Sequence, residues 1–139
     1  MSVQQNPLQS SLGRFAWVVL IACLMAAVAG CRTSPIKEIT GSAIPPGLTQ
    51  EQVEKAIISA GAGLGWSMKI ERPGLISGSM SLRDHLAQVE IPYTTQTYSI
   101  NYKSSTNLKY DATERTIHSN YNSWIDNLNH AILANLARI

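Results

Sequence analysis

The apolar residues of this chain change their spacing at Gly65, and that change limits the fold more than any other feature. Before it, Val53, Ala56, Ile57, Ala60 and Leu64 recur at the intervals that place side chains on one face of a helix. After it, Trp66, Met68 and Ile70 alternate with Ser67, Lys69 and Glu71, the period of a strand buried on one side. The alternation resumes through Ile76, Gly78, Met80 and Leu82, then Ala87, Val89, Ile91 and Tyr93, then Tyr98, Ile100 and Tyr102. Arg72-Pro73-Gly74 and Arg83-Asp84 read as the turns between them. Tyr121, Trp124, Ile125, Leu128, Ile132, Leu136 and Ile139 then return to helical spacing.

The ends of these segments are marked as well. Thr49 and Gln52 have the spacing of a capping box, with Leu48 and Val53 at the positions of a hydrophobic staple. Gly61, Gly63 and Gly65 are placed to end that helix. Ser119 or Asn120 is expected to cap the last one, and Leu108–Tyr110 to form a short strand returning at Thr116-Ile117. One half-apolar sheet and two amphipathic helices bury each other most simply as an α+β two-layer sandwich. The expected order is α-β-β-β-β-α: an antiparallel meander of about four strands with both helices on one face. The opposite face is rich in Ser, Thr, Asn and Gln.

Phe15 to Ala29 is an apolar run of fifteen residues interrupted only by Cys23. A membrane-spanning helix needs about 20 such residues, whereas a secretory signal peptide needs fewer, followed by small residues. Val28-Ala29-Gly30-Cys31 resembles a bacterial lipobox. The resemblance implies cleavage between Gly30 and Cys31, a diacylglycerol on the Cys31 thiol and an acyl chain on the new amine, with no other cofactor. An uncleaved N-terminal anchor is the alternative. Two or more acyl chains hold a protein stably at a membrane, so the implied partner is a bilayer. Arg32, rather than aspartate, follows the cysteine. In enteric-type bacteria that resembles lipoproteins exported to the periplasmic side of the outer membrane.

Three regions are therefore expected: a signal peptide over 1–30, a lipidated N-terminus and tether over 31–47, and a small domain over 48–139. The tether reading rests on Pro35, Gly41, Pro45, Pro46 and Gly47. Sixteen residues of it reach at most about 50 Å. Cleavage removes Cys23, leaving Cys31 without a disulfide partner, and removes Arg14, leaving ten basic residues against nine acidic ones. That balance gives no basic face for nucleic acid.

From Gly65 onward the chain resembles a group of small proteobacterial lipoproteins of uncharacterised activity. The likeness rests on Gly65-Trp66, Arg72-Pro73-Gly74, Arg83 with His85, and Tyr98-Ser99-Ile100 with Tyr102-Lys103. It continues through Ser105, Asn107-Leu108 and Tyr110 to Ile117-His118, Asn120-Tyr121-Asn122, Trp124-Ile125 and Asn127-Leu128. It implies a lipoprotein and supplies no catalytic residues.

The residues themselves offer little chemistry. His85, His118 and His130 share no metal-binding spacing. Asp84, His85, Asp111 and a serine make a triad only on paper, without a Gly-x-Ser-x-Gly elbow. His85 is expected at a strand edge, hydrogen-bonded to backbone. The richest cluster surrounds the last helix start: Tyr98, Tyr102, Tyr110, His118, Asn120, Tyr121 and Asn122, with Tyr93 and Trp124 nearby. Rings and amides of this kind can line a pocket for a sugar or peptide, or pack beneath the helices. The expected function is a non-catalytic binding or scaffolding lipoprotein that meets an envelope protein or cell-wall component. The alternatives are a small envelope hydrolase using His85 or His118, and an inhibitor of a host or competitor enzyme that attacks the envelope.

Overall fold

The structure, a computed structural model, describes residues 32–139. The signal peptide, the Gly30–Cys31 junction and lipidation of Cys31 lie outside the described residues. Helix α1 (Gln50–Gly63) starts where the capping box predicts: Thr49 Oγ1 accepts from Gln52 N at 3.2 Å and Gln52 Oε1 accepts from Thr49 N at 2.9 Å. Val53, Ala56, Ile57 and Ala60 are its buried stripe. Gly65, at φ +86°, takes the chain out of the helix in a conformation that suits glycine.

The four expected strands follow: β3 (Ser67–Arg72), β4 (Leu75–Leu82), β5 (His85–Pro92) and β6 (Thr97–Thr106). They form the expected antiparallel meander, with Ile76 opposite Ile91 and Gly78 opposite Val89. The buried side presents Ile76, Ala87, Val89, Ile91, Tyr98 and Ile100 to both helices. The other side is polar and ties itself together, with Ser77 Oγ and Lys69 Nζ on Glu71, Ser104 on Gln88 and Lys103 on Glu90. Helix α2 (Ser119–Leu136) buries Tyr121, Ile125, Leu128, Ile132 and Leu136. Its cap is His118 rather than Ser119 or Asn120: His118 Nδ1 accepts from Asn120 N at 3.2 Å.

The fold is α+β, but the chain enters it through strands. The stretch expected as a tether is folded: β1 (Thr33–Pro35) pairs with β7 (Thr116–His118), and β2 (Ile39–Ala43) extends the sheet to the order β2-β6-β5-β4-β3. The observed order is thus β-β-α-β-β-β-β-β-α. The Thr116–His118 segment pairs with β1 and meets the preceding loop, where Leu108–Tyr110 forms no strand, at an Asp111–Thr116 bridge and through His118 N on Leu108 O. The prolines do not prevent this. Pro35 closes the short β1, and Pro45 and Pro46 lie in the connection after β2, so neither sits inside a ladder.

Asn122 secures the N-terminal segment. Its Nδ2 donates to Ser34 Oγ at 3.0 Å and to Pro35 O at 2.9 Å, while its Oδ1 accepts from Lys37 N at 2.9 Å. Lys37 also meets Asp126 at 2.8 Å. Glu38 accepts from Tyr102 N at 3.0 Å and pairs with Arg115 at 3.1 Å.

Two glycines let the layers approach. A Cβ on Gly61 would lie 2.4 Å from Met68 Sδ, and one on Gly78 would lie 3.3 Å from Trp66 Cε3. Gly61→Ala gains about 1 kcal/mol of helix propensity but makes the flexible Met68 side chain move aside, so it is expected to change stability by no more than about 1 kcal/mol and to stabilise in a Met68→Ala background; urea denaturation of the two single variants and the double variant checks this. Asn122→Ala is expected to cost about 1–3 kcal/mol, because it leaves a backbone N–H and a carbonyl without their partner. A denaturation midpoint unchanged from wild type would show that the three Asn122 hydrogen bonds contribute nothing net to stability.

Candidate functional site

The aromatic and amide residues around the start of α2 do come together, largely as packing. Tyr102 and Tyr110 have ring centroids 4.3 Å apart, and Tyr102 meets Tyr121 edge-on at 5.7 Å. Tyr102 Oη shares a hydrogen bond with Ser105 Oγ at 2.9 Å, and Tyr98, buried, donates to Asn129 Oδ1 at 2.6 Å. Tyr93 donates to Glu54 on α1. His118 and Asn122 serve the helix start and the N-terminal segment, and only Asn120 of the group is exposed. Tyr121 is fully buried and its hydroxyl has no partner among the described residues.

Burial pushes the Tyr121 hydroxyl well above the usual tyrosine pKa, aided by the nearby Glu38 carboxylate and Tyr102. Burial raises Tyr98 as well. Such groups stay protonated in the folded protein after they ionise in the unfolded chain, so their contribution is complete below about pH 10 and is lost as pH rises beyond it.

His85 and His118 are committed to the backbone. His85 Nδ1 lies 2.9 Å from Asn107 O, which only accepts, so this nitrogen carries the proton; its Nε2 is 3.6 Å from Asp84 Oδ1. Asp111 is occupied in its own turn, accepting from Thr113 N at 2.8 Å and Glu114 N at 3.0 Å. Among the described residues neither His85 nor His118 is hydrogen-bonded to a serine, so the hydrolase reading gains no support from this geometry.

A different group of residues lines a hollow of about 210 Å³: Leu64, Trp66, Met80, Leu82, Trp124 and Asn127. Trp66 is 3% exposed, its Cε3 edge faces Gly78, and its Nε1 has no partner among the described residues. Two indoles, three aliphatic side chains and one carboxamide suit a flat ring or an aliphatic chain. A second hollow of about 330 Å³ lies between the helices, against Gln52, Lys55, Ala56, Ser59, Asn135 and Ile139. None of the seven residues singled out from the sequence lines either hollow. Trp124 was legible as part of the aromatic cluster, but its neighbours here are Met80 and Leu82. The available signal was Leu82, an apolar residue continuing the alternation up to an exposed turn.

No described helix is long and apolar enough to cross a membrane. Compared with known proteins, the chain matches no family model, no curated protein and no solved structure.

Tyr121→Phe removes a buried hydroxyl without a partner and is expected to leave stability at neutral pH unchanged or raised by up to about 1 kcal/mol. It should also flatten the loss of stability above about pH 10 by about 1.4 kcal/mol per pH unit. Denaturation midpoints from pH 7 to pH 11 (about four pH units, spanning the tyrosine range) check both effects.

Proposed function

We propose that this chain is a lipid-anchored envelope lipoprotein whose domain binds or scaffolds without catalysis. The observation that carries the reading is the position of Val28-Ala29-Gly30-Cys31 immediately before the folded unit. Arg32, the residue after the cysteine, already belongs to that unit, its carbonyl accepting from Ser119 N at 2.8 Å. Cleavage before Cys31 would thus remove none of the described residues. The fifteen-residue apolar run that ends within the motif suits export better than spanning. Arg32 after the cysteine favours the periplasmic side of the outer membrane over retention at the inner one.

The non-catalytic part of the reading rests on how His85 and His118 use their Nδ1 atoms, one on a loop carbonyl and the other on a helix cap. The resemblance to small proteobacterial lipoproteins agrees with this reading. Cys31→Ser is expected to abolish acyl labelling and leave the full-length precursor in cells, seen by gel mobility and by mass. Unchanged mobility together with unchanged membrane attachment would sink the lipobox reading.

A further inference from the structure

Because β1 begins at Thr33, a lipid on Cys31 would leave the domain almost no freedom to turn. One peptide bond, about 3.8 Å between Cα atoms, separates Cys31 from Arg32. Arg32 is held to the first residue of α2 through its carbonyl, and Thr33 lies opposite His118. His118 N in turn donates to Leu108 O at 2.8 Å. Asn107 then bridges to the β4–β5 turn, its Nδ2 on Asp84 O at 2.8 Å and its carbonyl on the His85 ring. One end of the molecule is therefore a continuous surface built from Arg32, the turn at 83–84, the loop at 107–109 and the start of α2.

This end has a charge imbalance. Arg32, Arg83 and Lys109 are exposed, and none of them is ion-paired among the described residues. Asp84 is the only carboxylate on these segments. Arg83, Asn107 and Lys109 all adopt positive φ, between 51° and 58°. Such backbone is costly for side-chain-bearing residues and is kept where the surroundings impose it. Leu82, 51% exposed, adds an apolar shoulder beside the turn. The opposite end, about 27 Å away along α2 at 1.5 Å per residue, sets Glu51, Glu54 and Glu71 against Lys55, Lys69, Arg72 and Arg138, with Glu51 and Glu71 ion-paired.

We propose that this end is a membrane-docking surface. Arg32, Arg83 and Lys109 rest against anionic phospholipid headgroups, Leu82 touches the interface, and α2 points away from the bilayer. The inference rests on lipidation of Cys31, and it goes beyond anchoring by assigning the face the domain turns to the membrane. Basic side chains gain from an anionic leaflet only within about a Debye length, roughly 8 Å at physiological salt. The short covalent link keeps Arg32 within that range, and the hydrogen bonds through His118, Leu108 and Asn107 set Lys109 and Arg83 on the same end. The hollow lined by Trp66 and Trp124 shares Leu82 with this surface.

The test uses the full chain, processed and acylated in bacteria, then reconstituted in vesicles of phosphatidylcholine with about 30% phosphatidylglycerol. Single exposed positions take a nitroxide through Asp84→Cys, Asn120→Cys, Thr95→Cys and Arg138→Cys, with circular dichroism showing that each variant is folded. A nickel chelate on the lipid headgroups is expected to relax the labels at 84 and 120 several-fold more than those at 95 and 138. The contrast should shrink in pure phosphatidylcholine and in an Arg83→Glu, Lys109→Glu background. Equal relaxation at the four positions, or the reverse order, overturns the docking surface while vesicle flotation and the acylated mass leave the anchor intact. A contrast indifferent to lipid charge overturns the role of the cations. Protein that neither floats with vesicles nor carries acyl mass overturns the lipoprotein reading itself.

Discussion

A sheet with one apolar face has to be covered, and both helices are committed to that task. Ile76, Val89, Ile91 and Ile100 have no exposure, and neither do Val53 and Ile57 on α1 or Ile125, Leu128 and Ile132 on α2. The cover is close because Gly61 and Gly78 leave out side chains where Met68 and Trp66 enter. The polar hydroxyls and amides are left to the opposite face. Remaining polarity inside is carried mostly by tyrosines that reach an acceptor at the rim, such as Tyr98 on Asn129 and Tyr93 on Glu54. Tyr121 is the exception, a hydroxyl enclosed without a partner among the described residues.

The N-terminal segment is held by a different kind of interaction, directional rather than apolar. Asn122 satisfies one backbone donor, one carbonyl and one hydroxyl of residues 34–37 at once, and Glu38 joins Tyr102 N to Arg115. This changes the physical meaning of an anchor at Cys31. A flexible tether would let the domain sample a wide volume above a membrane, whereas with a folded strand two residues from the proposed anchor only the torsions around Cys31 would separate the fold from it.

Where local chemistry decides structure, the sequence was legible. The Thr49–Gln52 box, the four strands and the Pro73-Gly74 turn appear as read. The two helical stripes do so except at their ends, since Leu64 and Ile139 lie past the helices and are exposed, as are Ile70 and Leu82 at strand ends. The N-terminal strands were not legible because β1 and β2 have weak patterns, with Thr, Ser and Gly among their residues and prolines nearby. Composition of that kind looks the same in a linker, and only pairing with β7 and β6 turns it into strand. Of the candidate site, the clustering of Tyr102, Tyr110 and Tyr121 was foreseeable. The use of His118 as a cap and Asn122 as a brace depends on which groups the fold leaves unsatisfied.

By itself the sequence determined the α+β class, the meander and its buried face, since hydrophobic period and turn residues act over a few positions. The proposed cleavage before Cys31 is likewise read from a linear motif and lies outside the described residues. Only the tertiary structure decided that Arg32 to Ala43 is folded and that the loops at 83–84 and 107–109 share an end with Arg32. It likewise decided that Trp66 and Trp124 line one hollow. These are contacts between residues far apart in the chain, and their energy comes from partners that no local pattern names.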